Sequence, residues 1–235
     1  MKISIAGWFK SLFPQKITAY HAILVENTIE HFANSLPAGS EVLDAGAGEM
    51  PHKKYFRKAK YSAIDVAYPE NNWDYQGLDY VADLEDMKVI GDSSFDAIIC
   101  NQVLEHVKHP QLVINEFFRI LKPGGKVLVT VPQGFEDHQE PHNYFYFTKH
   151  GLKLLFNEAG FENTEVEYLG GYYAFLSHWL RNFWFNMGNE KIMKYVDLLL
   201  YPIYFIASCV LLFLDRFDKK RKLTVYIKFI GTKHA

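Results

Sequence analysis

Val42-Leu43-Asp44-Ala45-Gly46-Ala47-Gly48 sets a carboxylate and two glycines at the end of an apolar, β-rich run. Glycine carries no Cβ, so this loop lets the backbone approach a ligand at the carboxyl edge, where open α/β sheets bind cofactors. Asp65 ends the run YSAIDVA about twenty residues on, the position from which a carboxylate accepts from both hydroxyls of a ribose. Asp83, in YVADLED, ends a third short run, where it can accept from an adenine amino group. A dinucleotide loop, GxGxxG, would need glycine where Pro51 stands, and no P-loop sequence occurs. The chemistry these residues support is recognition of an adenosyl ligand without phosphates.

Strand-like runs must carry these residues. EVLDAG, YSAIDVA, YVADL, FDAIICN and GKVLVTVP are short and β-rich, and helical segments such as PQLVINEFFRILK separate them. That alternation predicts a parallel sheet with helices on both faces. Residues 17–35 place Ile17, Ala22, Ile23, Leu24, Val25, Ile29 and Phe32 at helical spacing, which predicts a covering helix within an N-terminal segment 1–38. Leu121 to Gly125, LKPGG, reads as a helix stop and a turn feeding a strand from Lys126 to Val131. Beyond residue 151 follow a helix ending at Gly160, a strand ENTEVEYLG, a long aromatic stretch, and LTVYIKFIGTK, a strand that closes the sheet.

Four ordered pieces, VLDAGAGEM, YSAIDVA, FDAIICNQVLEHVKHPQLVINEFFRILKPGG and KVLVTVPQ, span about residues 41–133. With them the sequence resembles the class I S-adenosylmethionine-dependent methyltransferases, and within these the type-eleven methyltransferase-domain group. The third piece is the most specific, since Phe95-Asp96, Leu104-Glu105-His106-Val107 and Leu121-Lys122-Pro123-Gly124-Gly125 keep the family's order and spacing. The resemblance implies an α/β, Rossmann-like sheet of seven mostly parallel strands, the last antiparallel, with a helical insert before it. It implies S-adenosylmethionine as cofactor. Asp44, Ala45, Gly46 and Gly48, with Ala47 between them, would line its methionine and ribose end. Asp65, with Val66 beside it, would hold the ribose hydroxyls. Asp83 and Leu84 would flank the adenine, and Asn101 and Gln102 would face the amino acid part and the methyl group. Met50 departs from the pattern, because many members carry a third glycine there.

A sulfonium methyl is already activated, so the protein has mainly to align an acceptor and shield the site from water. Related methyltransferases often carry a His, aromatics and a Thr after the fifth strand, where this chain has residues 136–148. His142 is accordingly the candidate general base or acceptor contact, with Tyr144 and Tyr146 as walls. His106 is expected to orient the loop, Glu105 to be structural, and Cys100 to be an inert core thiol. His138 with Asp137 and Glu140 reads as an acidic loop, and no metal is expected.

The 235 residues suffice for a single methyltransferase domain over 1–235, with a cofactor-binding core at 39–170, an aromatic insert at 171–222 and a closing strand at 223–235. The 25 Lys+Arg against 27 Asp+Glu, net −2, exclude a general nucleic-acid coat. Hydrophobic residues at 49% exclude wholesale disorder. Cys100 and Cys209 lie far apart with no CxxC partner, which excludes a disulfide framework and a structural zinc site. Lys10 and Pro14 break the N-terminal apolar stretch, so no secretory signal is read and a cytoplasmic location is expected. Leu198 to Leu214 is an uncharged run of 17 residues, flanked by Trp and Tyr and followed by a basic stretch from Arg216 to Lys222. A single membrane span is disfavoured, because the chain must return to complete its sheet. The segment 172–222 is left with three readings: peripheral membrane contact, packing on its own domain, and a homodimer face. The expected reaction is in-line methyl transfer to a small or lipid-linked acceptor, at oxygen. Its alternatives are another adenosyl-cofactor transferase and a catalytically silent, membrane-attached cofactor-binding partner protein.

Overall fold

The computed structural model describes residues 20–68, 73–186 and 190–234, with the side chains of all but 181–186 and 190–201. Of the expected N-terminal covering segment 1–38, residues 1–19 lie outside the described residues. In chain order the elements are α1 (Tyr20–Ser35), β1 (Glu41–Ala45), β2 (Lys60–Asp65), β3 (Tyr80–Val81), β4 (Phe95–Asn101), α2 (Pro110–Ile120), β5 (Leu121–Pro132), α3 (Lys149–Glu158), β6 (Phe161–Leu169), α4 (Tyr172–Asn186), α5 (Glu190–Leu214) and β7 (Tyr226–Lys233). Two compact units result, residues 25–167 with 226–234, and residues 20–24 with 168–225. Residues 171–222, read from the sequence as an insert, fall within the second.

The sheet has the order β3-β2-β1-β4-β5-β7-β6. β1 pairs in parallel with β2 and β4, and β5 in parallel with β4. β7 runs antiparallel to β5, from Lys126 opposite Thr232 to Pro132 opposite Tyr226. The central strands are buried on both faces, as their unbroken apolar runs require: Val42, Leu43, Ala97, Ile98, Ile99, Val127 and Val129 are all excluded from solvent. Cys100 belongs to this core, and burial pushes its thiol well above the ordinary range. On α1 the buried residues Val25, Ile29 and Phe32 follow helical spacing, and on α3 Phe156 stacks on Phe229 of β7 at 3.9 Å.

One expectation is corrected in detail. The LKPGG turn does not precede the fifth strand; it lies within it. β5 begins at Leu121 opposite Phe95, and the next pair is Lys126 with Ala97, so the Pro-Gly-Gly residues bulge out of the ladder, with Gly124 at φ +78°. YVADL likewise gives only the two-residue strand β3, held to β2 by Asp79, whose carboxylate accepts from the Ala63 N–H.

Candidate cofactor and acceptor site

β1, β2 and β4 end together, and the loops that leave them enclose a cavity of about 630 Å³. Asp44 is buried at the end of β1, where it accepts a hydrogen bond from the Tyr61 hydroxyl at 2.5 Å. Burial raises its carboxyl to about 7; the Tyr61 bond opposes that shift and the charge of Asp65 adds to it. The Gly46 and Ala47 N–H groups donate to the Ile64 carbonyl, at 2.9 and 3.1 Å. Asp65 then stitches two loops together: Oδ2 accepts from the Gly48 N–H at 2.9 Å, and Oδ1 from the Ala67 N–H at 3.0 Å. Each of these oxygens keeps a second lone pair, the capacity a ribose diol needs.

Gly46, at φ +76°, must be glycine, because a Cβ there would stand 2.4 Å from Val103 Cγ2. Met50 holds φ +56°, the left-handed conformation that glycine takes freely, so the position keeps the backbone of a third glycine without its residue type. Gln102, at φ +55°, turns the chain out of β4. Its amide donates to Thr130 Oγ1 at 3.1 Å, Thr130 donates to Asn101 Oδ1, and Asn101 donates to His52 Nε2 at 3.1 Å. Burial lowers the His52 pKa, in keeping with a neutral ring that accepts.

The short turn Leu104–His106 pins the loop after β5. The Glu105 carbonyl accepts from the Tyr144 N–H at 2.8 Å, and His106 Nδ1–H donates to the His142 carbonyl at 2.8 Å. His142 is thereby held at the cavity, its ring stacked parallel to Tyr68 at 5.5 Å with Nδ1 3.1 Å from the Tyr144 hydroxyl.

Of the sequence candidates, Asp44, Gly46, Gly48, Asp65, Val66, Asp83, Leu84, Asn101, Gln102, His142 and Tyr144 line this cavity. Ala45 does not: it is the next residue to Asp44 along the strand, points to the opposite face, and is fully buried. Tyr146 is not in the lining either, and its hydroxyl is engaged by Asn143 at 2.8 Å and Asp137 at 3.0 Å. Asp83 is exposed, and its carboxylate accepts from the Glu85 N–H at 2.9 Å. His52, Tyr68, Trp73, His106 and Gln139 line the cavity without having been singled out for it. Only His106, inside LEHV, carried a readable signal. Five carboxyl groups, of Asp44, Glu49, Asp65, Asp83 and Glu85, face the cavity against one lysine, Lys108. That balance opposes phosphates and favours a ligand carrying positive charge.

Residues 19–166 match the family model of a methyltransferase domain, type twenty-three; the resemblance read from the motifs is to type eleven. The chain belongs to the class I S-adenosylmethionine-dependent methyltransferases. A curated relative, the ubiquinone biosynthesis O-methyltransferase of Xanthomonas axonopodis pv. citri, is 33% identical over 134 residues, 52% of this chain and 55% of that protein. The chain spans about half the length of the curated relatives it matches. Among solved structures, a SAM-dependent methyltransferase from Archaeoglobus fulgidus superposes with a TM-score of 0.59 at 11% identity, over 89% of this chain and 93% of that one. Phosphoethanolamine N-methyltransferase 2 of Haemonchus contortus, solved with S-adenosylmethionine, does so at 0.55 and 17% identity, over 89% and 52%. These structures share the methyltransferase fold. The cavity of this methyltransferase fits the family's cofactor: a glycine loop for close backbone approach, Asp65 with free lone pairs, and acidic walls suited to an ammonium and a sulfonium.

Proposed function

We propose that the protein transfers the methyl group of S-adenosylmethionine to a hydroxyl of a small or lipid-linked acceptor, with His142 as general base. Asp44, the Gly46–Gly48 loop, Asp65, Asp83 with Leu84, and Asn101 with Gln102 would hold the cofactor, which supplies an activated methyl group when bound. The observation that carries the proposal is the presence of His142 in the same cavity as these strand ends. In the tautomer whose Nδ1–H donates to the Tyr144 oxygen, 3.1 Å away, Nε2 keeps a lone pair for the acceptor's proton. The stacked Tyr68 fixes the ring plane and covers one side of it. Oxygen as the accepting atom draws support from the Xanthomonas relative, an O-methyltransferase by name. A lipid-linked acceptor draws support from the exposed apolar row on α5 formed by Ile203, Ile206, Val210 and Phe213, which suits a membrane surface.

The test is methyl transfer from labelled S-adenosylmethionine to a panel of phenols and catechols, by wild type and by His142→Ala. Turnover should fall by about 10²–10⁴-fold in the variant while cofactor affinity is unchanged. Equal turnover in the two proteins contradicts the assignment of the base.

A further inference from the structure

Glu105 is completely buried, and neither of its carboxylate oxygens has a hydrogen-bond partner among the described residues. His106 Nε2, 3.9 Å from Glu105 Oε1, is buried and unpartnered as well. A buried carboxyl group and a buried imidazole lone pair left without partners on adjacent residues are costly, and each calls for something to satisfy it. His138, from the loop after β5, completes the cluster: its ring meets that of His106 edge-on at 4.7 Å. Each of the three residues offers one ligand atom, and these atoms lie within 4.8 Å of one another.

The two rings are already set in the tautomer that ligation through Nε2 requires. His106 Nδ1 faces the His142 carbonyl at 2.8 Å and His138 Nδ1 faces the Glu136 carbonyl at 3.1 Å. A carbonyl only accepts, so both Nδ1 atoms carry the proton and both Nε2 atoms carry the lone pair. A backbone carbonyl fixing the distal nitrogen is the usual outer-shell partner of a ligating histidine.

We propose that Glu105, His106 and His138 form a binding site for a divalent first-row transition cation of the zinc type. Two imidazoles and one carboxylate suit Zn²⁺, Co²⁺ or Fe²⁺ and are ill matched to Mg²⁺, which seeks an all-oxygen shell. Ligand atoms around a tetrahedral cation stand roughly 3.4 Å apart, from bond lengths near 2.0–2.1 Å. Small rotations of the three side chains would draw them in to that spacing. Three protein ligands leave a fourth position for an exchangeable ligand, and His106 also lines the cofactor cavity. The sequence reading set His138 beside Asp137 and Glu140, its chain neighbours; the fold sets it against Glu105 and His106, more than thirty residues earlier.

Tag-free protein, stripped with chelator and titrated with Zn²⁺ in the presence of millimolar Mg²⁺, tests the site, with Co²⁺ loading as a spectroscopic probe of nitrogen ligation. Wild type should take up one Zn²⁺ per chain. Glu105→Gln and His138→Ala should each weaken uptake at least ~100-fold, at or beyond the upper end of what loss of an outer-shell partner costs. His138 is on a partly exposed loop, so His138→Ala keeps the test valid should Glu105→Gln disturb the core. No uptake by wild type, or equal uptake by His138→Ala, overturns the proposal.

Discussion

Burial of Asp44 at the end of β1 raises its carboxyl to about 7, against 3.8 for the ordinary group. Between about pH 4 and 7 the unfolded chain has lost this proton while the native protein still holds it. The ligand-free protein therefore loses stability as pH rises through that window, by at most on the order of 4 kcal/mol, and the loss levels off above it. Asp44→Asn keeps an acceptor for the Tyr61 hydroxyl and removes the titration. Its melting temperature relative to wild type should be higher at pH 8 than at pH 5; an offset equal at the two pH values contradicts the burial argument. At this scale the carboxylates were legible, because strand-end acids and glycines sit at fixed offsets in the chain. Ala45 lies outside the cavity lining; motif spacing does not resolve which of two consecutive strand residues faces the cavity. His52 and Trp73 were invisible, because loops of no recognisable pattern deliver them to the cavity. Met50 shows the reverse case, a residue that breaks the motif's letter while its backbone keeps the motif's geometry.

On α5 and the turn beyond it, Ile203, Ile206, Val210, Phe213 and Phe217 recur every third or fourth residue, and each is more than half exposed. An exposed apolar row of this kind is uncommon on a helix in water. Arg216 stands beside the end of the row and Lys219 to Lys222 follow it, all exposed. Among the described residues no helix is long and apolar enough to cross a membrane. In the proposed reading of a membrane-facing row, the row and the basic exit would give contact with one leaflet of an anionic bilayer an apolar and an electrostatic part. The intact protein should co-sediment with anionic liposomes at low salt and be partly released as salt screens the basic residues. Ile206→Glu with Phe213→Glu should stay in the supernatant, and so would the wild type if the row serves another purpose. The apolar run and its basic flank were readable from sequence. Which side chains lie outward was not, since a helix that is apolar nearly all round gives no preferred face. The bulge in β5 escaped for a related reason: Pro and Gly signal a break, but a break inside a paired strand carries the same signal as one before it.

Over the whole molecule, the alternation of apolar runs and helices was enough to foresee a parallel sheet, because each buried strand must be apolar along its length. The closing antiparallel strand rested on the family resemblance, and the structure pairs it with β5. The cavity was foreseen only along its strand ends; most of its remaining walls come from the loops after β1, β2, β4 and β5, and the turn at Leu104–His106 pins the last of these. The central claim is that this acidic, glycine-floored cavity binds S-adenosylmethionine through Asp65. Calorimetric titration of S-adenosylhomocysteine into wild type and Asp65→Ala tests it most directly. The account predicts stoichiometric binding to wild type and a loss of about 1–3 kcal/mol in the variant, from the charge-assisted hydrogen bonds to the ribose. Equal affinity in the two proteins, or no binding to wild type, would contradict it.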